Sequence, residues 1–192
     1  MKKSLLAMLL AFALVAHVFA AQEGTKELDL KAGLTMMAKG DINKLGNEDV
    51  NSAFLIGADF FYYVKQEFAI GAGLTNIFNA KIQNTPGNPK IGFTNIYAQA
   101  KYVFDTEDDV FNNIYPLLQI GYGIINVDCD YVEVDSNGIY FGIGVGTTIK
   151  ENVKLELIYL RNEGTLKMKV RNLTGDATYS ALAIKVGYKF VL

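Results

Sequence analysis

From residue 25 onward, apolar and polar positions alternate with a period of two, and helical spacing is hard to find. The closing stretch, residues 178–192, is the clearest case. Leu182, Ile184, Val186, Tyr188, Phe190 and Leu192 make one face, and Ala183, Lys185, Gly187 and Lys189 make the other. Seven earlier segments repeat the pattern: residues 25–38, 52–64, 68–78, 92–104, 114–127, 138–149, and one that begins at Val153. In the second of these, Phe54, Ile56, Ala58, Phe60 and Tyr62 oppose Leu55, Gly57, Asp59 and Phe61. Residues 65–67 and 150–152 read as tight turns and 105–113 as a medium acidic connection. The connections at 39–50, 79–90, 128–137 and 161–177 are long. Short turns therefore gather at one end of the predicted strands and long loops at the other.

The two faces differ in kind. The second face carries many glycines, among them Gly57, Gly71, Gly73, Gly121, Gly142, Gly144 and Gly146, and few charges. Such a face makes a poor water-exposed surface and a good lining for a narrow barrel. The other face then meets lipid. Backbone groups in lipid must all be paired, which strands achieve only by closing on themselves. Seven of the eight segments run 11 residues or more, enough for the roughly 9–11 that a tilted strand needs to span a bilayer. The expected fold is all-β: an eight-stranded antiparallel up-and-down transmembrane β-barrel.

The inward face places Glu27, Asp29, Lys31, Asp59, Lys101, Lys154, Glu156, Lys185 and Lys189 in the lumen. Buried charges are tolerated when paired, so a lumenal ion-pair network is expected. Pairing the first two strands brings Lys31 near Asp59. Closure of the eighth strand on the first brings Lys185 and Lys189 towards Glu27 and Asp29. Eight strands leave an interior that side chains can fill, so a plug is favoured over a conduction path. Interface girdles are expected from Phe60, Tyr62, Phe68, Tyr102, Phe104, Tyr115, Tyr188 and Phe190 at the short-turn end. Phe78, Phe93, Phe141 and Tyr159 are expected near the loops.

Composition adds a leader. Lys2 and Lys3 precede an uncharged apolar run from Leu5 to Phe19, and Val18 and Ala20 suit a signal peptidase. Residues 1–20 are expected to be a signal peptide cleaved after Ala20 or Ala21, with residues 21–192 as the barrel domain. Cleavage removes two of the 18 basic residues and none of the 20 acidic ones, so the mature charge is 16 − 20 = −4. Nothing in that balance suggests nucleic acid. The one histidine, His17, leaves with the leader. Barrel-borne hydrolases and acyltransferases rely on a histidine base, so no enzyme, metal or other cofactor is expected.

The ending KVGYKFVL, with Lys185, Gly187, Phe190 and Leu192, resembles the C-terminal assembly signal of bacterial outer-membrane barrels. With the leader and the eight alternating segments, the whole resembles the small OmpA/OmpX-type outer-membrane β-barrel family. That resemblance implies the cell outer membrane of a Gram-negative cell and insertion by the barrel-assembly machinery. It also implies contact with outer-membrane lipid and lipopolysaccharide. Members of the family serve as adhesins, defence proteins, envelope-stabilising proteins and narrow pores. The function expected here is envelope integrity or adhesion to a host or surface ligand through the loops, by a monomer; a narrow porin-like channel is the alternative.

Two loops carry marked charge. Asp128, Asp130, Glu133 and Asp135 crowd the third long loop but lack the glycine and ligand order of a calcium loop. Cys129, between two aspartates, is expected to be an inert or occasionally dimer-forming thiol rather than a reactive one. In the fourth long loop, residues 165–171 alternate again, with apolar residues now at even numbers. A bulge at 162–164 is expected to cause that switch, with a hairpin turning at 172–175. Lys167, Lys169 and Arg171 are expected to meet lipopolysaccharide phosphates or the acidic third loop.

Overall fold

The computed structural model describes residues 24–42, 46–83, 89–105, 111–129, 132–149, 152–168 and 173–192. The expected leader, Asp130, Lys169 and Arg171 lie outside the described residues. The strands are β1 (Lys26–Ile42), β2 (Gly46–Val50), β3 (Phe54–Tyr63), β4 (Phe68–Lys81), β5 (Lys90–Tyr102), β6 (Phe104–Asp105), β7 (Phe111–Asp128), β8 (Val132–Ser136), β9 (Gly138–Ile149), β10 (Val153–Met168) and β11 (Leu173–Val191). Eight of them, β1, β3, β4, β5, β7, β9, β10 and β11, each pair antiparallel with the next. β11 returns to pair with β1, from Glu27↔Val191 to Ile42↔Ala177. The protein is a closed eight-stranded antiparallel barrel. Strands β2 and β8 stand on the long-loop rim, against β1 and β10.

The outer wall shows where lipid lies. Leu30, Leu34, Ile56, Leu74, Leu118, Ile120, Ile143, Val145, Leu157, Ile184 and Val186 are all exposed, a band of apolar side chains that water would not tolerate. On β1 the band runs from Leu28 to Met36, about nine residues, or about 23 Å of height for a strand tilted near 40°.

Above the band the pattern inverts. Ala38, Val50, Ile82, Ile91, Phe93, Ile125, Leu166 and Tyr179 turn inward into one buried apolar cluster. Lys39, Asn126, Asp128, Arg161 and Glu163 are exposed on the outer face at that level. The strands thus continue beyond the bilayer as a collar with an oily inside and a polar outside, the arrangement of a water-soluble barrel.

This inversion corrects the expected bulge at 162–164. The β10–β11 ladder runs without a register shift from Val153↔Tyr188 to Met168↔Leu173. Even-numbered residues of β10 face inward along its length, from Lys154 and Glu156 through Leu160 and Asn162 to Leu166. The apolar residues change parity because the solvent outside changes from lipid to water, and no residue is inserted. The expected turn at 172–175 also shifts: Thr174 and Gly175 are already paired with Lys167 and Leu166.

Register shifts do occur elsewhere, between Met36 and Lys39 on β1 and between Ile77 and Ala80 on β4. On β1 the extra residue is Met37, at φ 50° and 83% exposed, a backbone state uncommon for methionine. It brings Ala38 indoors three residues after Thr35. The polar stretch at 39–50 therefore holds the paired strands β1 and β2, with Val50 buried in the collar, and residues 132–136 are a strand rather than open loop.

Three girdle assignments change as well. Phe68, Phe78, Tyr102, Phe104, Phe141, Tyr159, Tyr188 and Phe190 are exposed on the outer wall. Phe93 and Tyr115 point into the barrel and are buried, because each shares parity with lumenal neighbours, Asn95 and Tyr97 for one and Leu117 and Gln119 for the other. Tyr62 is buried too, with its ring against Gly24.

Candidate functional site

The lumen below the collar holds the charged residues. Glu27, Asp29, Lys31, Asp59, Lys101, Lys154, Glu156 and Lys185 are all buried. Four carboxylates face four ammonium groups, so the cluster is neutral. Strand alternation puts them there. β1 contributes three at positions 27, 29 and 31, β10 two at 154 and 156, and β3, β5 and β11 one each.

Lys31 Nζ donates to Asp59 Oδ2 and to Glu156 Oε1, each at 2.6 Å, and lies 3.5 Å from Asp29 Oδ2. Lys154 Nζ donates to Asp29 Oδ2 at 2.7 Å and also bonds Glu27. Lys101 Nζ reaches Glu27 Oε1 at 2.5 Å and sits 3.9 Å above the Phe61 ring. Tyrosines supply the remaining donors. Tyr97 donates to Asp59 Oδ1 at 2.8 Å, Tyr115 to Glu156 Oε1 at 2.9 Å, and Tyr63 to Glu27 Oε2 at 3.0 Å. Beside the cluster, Tyr140 donates to Gln119, and Gln119 to Gln99. Charge-assisted bonds of this kind hold a desolvated cluster together only as a set.

Two lysines stand differently from expectation. Lys185 is buried, but its Nζ has no hydrogen-bond partner. It stands opposite Gly33 and Glu156 in register, and its acidic neighbours are Asp59 and Glu156 rather than Glu27 and Asp29. Lys189 is half-buried at the rim and enters no ion pair among the described residues, although Asp29 is its register partner. Lys154, reaching across from β10, holds the Asp29 carboxylate instead.

The tyrosines and glutamines were the residues that charge counting alone passes over. Their parity was the available signal: Tyr97 and Gln99 alternate in step with Lys101. The glycines opposite them provide the space. A Cβ on Gly146 would fall on the Tyr115 ring. Gly146→Ala should therefore displace Tyr115 from Glu156 and cost about 1–3 kcal/mol. The chain has no tryptophan, so unfolding in lipid vesicles is best followed by circular dichroism and gel mobility.

At the other end, Lys167 lies on the outer face of β10. Its Nζ is 3.9 Å from Glu133 Oε1 of β8, so it pairs with the acidic third loop. Asp128 is 3.3 Å from Lys90. No group of histidine, cysteine, aspartate or glutamate among the described residues is arranged to hold a metal ion.

The outer membrane protein beta-barrel domain family matches residues 4–190. The chain belongs to that family. It is an outer-membrane barrel, and the exposed apolar band is its lipid-facing wall. Three solved structures share the fold. Neisserial surface protein A is 22% identical with a TM-score of 0.56, over 88% of this chain and all of that one. OprG from Pseudomonas aeruginosa is 13% identical with a TM-score of 0.52, over 88% of this chain and 97% of that one. Ail, the attachment invasion locus protein of Yersinia pestis, is 12% identical with a TM-score of 0.51, over 88% and 100%. No curated protein matches the chain in sequence.

Proposed function

We propose that this barrel is a closed structural and surface-interaction protein: the membrane section anchors, and the collar presents the loops to partners outside the cell. The observation that carries this reading is the double closure of the lumen. A neutral cluster of interlocked charges fills the membrane section, and an apolar core fills the collar above it. An ion entering from outside meets Phe93 packed on Tyr179, with ring centroids 4.7 Å apart. It then meets lysines and carboxylates already bonded to one another. Passage requires breaking several charge-assisted bonds at once, which costs more than a steady channel can tolerate. No histidine lies beyond His17, and the lumenal carboxylates are engaged in ion pairs, so the reading is non-enzymatic. The designation of the Yersinia pestis relative as an attachment protein accords with it.

In this reading a leader of residues 1–20 directs export, and the barrel-assembly machinery inserts the mature chain among outer-membrane lipids and lipopolysaccharide. Lys169 and Arg171, two bases of the fourth long loop, contact lipopolysaccharide phosphates in this reading, while Lys167 pairs with Glu133. Planar-bilayer recording tests the central claim. The purified barrel should give no steady single-channel steps, and a strain lacking the gene should lose envelope resistance or surface adhesion with unchanged small-solute uptake. Reproducible unitary conductance would move the protein to the channel class.

A further inference from the structure

We propose that Asn95 and Asn162 hold an ordered water molecule between them, a site that ties together two strands which are not neighbours in the barrel wall. The proposal goes beyond the surface-interaction reading and stands independently of it.

Both residues point inward at the floor of the collar. Asn95 lies on β5 between Phe93, part of the apolar collar, and Tyr97, which donates to Asp59 of the charge cluster. Asn162 lies on β10, opposite Tyr140 of β9 and Tyr179 of β11. Strands β7 and β9 stand between β5 and β10 in the wall, so a link between the two amides crosses the lumen. Asn95 is 0% exposed and Asn162 1%. Neither the oxygen nor the nitrogen of either amide has a hydrogen-bond partner among the described residues. Buried side-chain amides are almost always bonded, and an unbonded one is costly.

Gly123 of β7 is what lets the two amides meet. It is buried, faces inward and pairs with Asn95 in the ladder. A methyl carbon placed on it would fall on Asn162 Oδ1 and lie 3.1 Å from Asn95 Oδ1. The two oxygens therefore border one small space, within reach of a single molecule about 2.8 Å from each. The chemistry of the amides selects that molecule. Their oxygens call for a donor with two hydrogens and their N–H groups for a small acceptor, and water is both. A bare ion fits less well: a cation would exchange its hydration for neutral oxygens, and an anion would face them. Turning the amides about does not remove the need. A direct amide–amide contact uses one N–H of each side chain at most and leaves the other to be paired. Aromatic pairs bracket the site. Phe93 packs on Tyr179 with centroids 4.7 Å apart, and Tyr97 on Tyr140 at 5.1 Å. A water held here is a strut across the lumen and not a step on a path through it.

Nuclear magnetic resonance of the barrel in nanodiscs, with isotope-labelled asparagine, tests the site. The side-chain N–H protons of both Asn95 and Asn162 should show direct cross-relaxation with water in the rotating frame, where direct contact and proton exchange differ in sign. Asn162→Leu should remove the water signal at Asn95 as well, because one amide alone does not hold the molecule. Asn95→Leu should do the same at Asn162, and Gly123→Ala, which puts a methyl group into the space, should remove both signals. Barrel mobility on gels checks that each variant folds, and the unsubstituted protein alone decides the matter where one does not. A missing water contact at either residue of the unsubstituted protein overturns the proposal, as does a signal at Asn95 that persists in Asn162→Leu. A coupling through a direct hydrogen bond from one amide to the other, with no water contact, would overturn it too.

Discussion

Lys31→Met should destabilise the barrel by about 3–5 kcal/mol, whereas Lys185→Met should cost about 2 kcal/mol less. The two residues are both buried lysines in one lumen, and their burial alone does not separate them. Their bonding does. Lys31 is the hub between Asp59 and Glu156, and its removal leaves two desolvated carboxylates short of a cation. Lys185 makes no direct bond, so its removal breaks none, and it relieves the cost of burying an unbonded ammonium. The double variant Lys31→Met/Asp59→Asn should recover much of the loss, because it leaves three carboxylates against three ammonium groups and keeps Glu156 beside Lys185. Equilibrium unfolding in urea with lipid vesicles measures all three. If Lys31→Met and Lys185→Met proved equally costly, the bonding pattern of the cluster would be wrong as drawn here.

Deleting residues 190–192 should block stable insertion. These residues form the last rungs of the closing seam: Phe190 pairs with Leu28, Val191 with Glu27, and Leu192 N–H donates to Lys26 O. Without them the lower end of β1 keeps an unpaired edge at the margin of the apolar band, where each orphaned backbone group that meets hydrocarbon costs several kcal/mol. Phe190 also stands on the outer wall beside Tyr188, with ring centroids 4.9 Å apart. Phe190→Ser should therefore weaken insertion less than the deletion, since it removes a lipid-facing ring and keeps the ladder. Protease protection and heat-modified gel mobility in isolated outer membranes read both variants. Normal insertion of the deletion variant would remove any special role for Lys185, Gly187, Phe190 and Leu192 as an assembly signal.

Much of the architecture was legible in the alternation. Eight strands, the closing pair, the glycine-rich inner face and the residues of the charge cluster all follow from parity, because parity is a local property of a pleated strand. What parity cannot give is height. Lys185 and Lys189 were expected together beside Glu27 and Asp29. Their partners depend on how far strands are staggered around the barrel and on how far Lys154 reaches across it. The collar was hidden for another reason. Its inner face is as apolar as the lipid face below, so Phe93 read as a girdle residue although it shares parity with Asn95 and Tyr97. The same confusion made the changed pattern after Tyr159 look like an inserted residue. The β8 strand was masked by its acidic composition, which resembles a solvated loop until Leu166 and Lys167 are laid beside it.

The inversion between band and collar bears on how the molecule reaches its place and why it stays there. With the loops outside the cell, as proposed, the collar must travel through the bilayer ahead of the band, carrying Lys39, Arg161 and Glu163 on its outer face. That crossing is the unfavourable step, and a free collar would not make it unaided. Once across, the same residues stand in water, and retreat would drag them back through hydrocarbon. Advance is opposed from the other end, since Leu30, Leu34, Ile56 and Val186 would be pulled out of lipid. The protein thus behaves as a one-way rivet: hard to drive in, and held from both sides afterwards by its own wall.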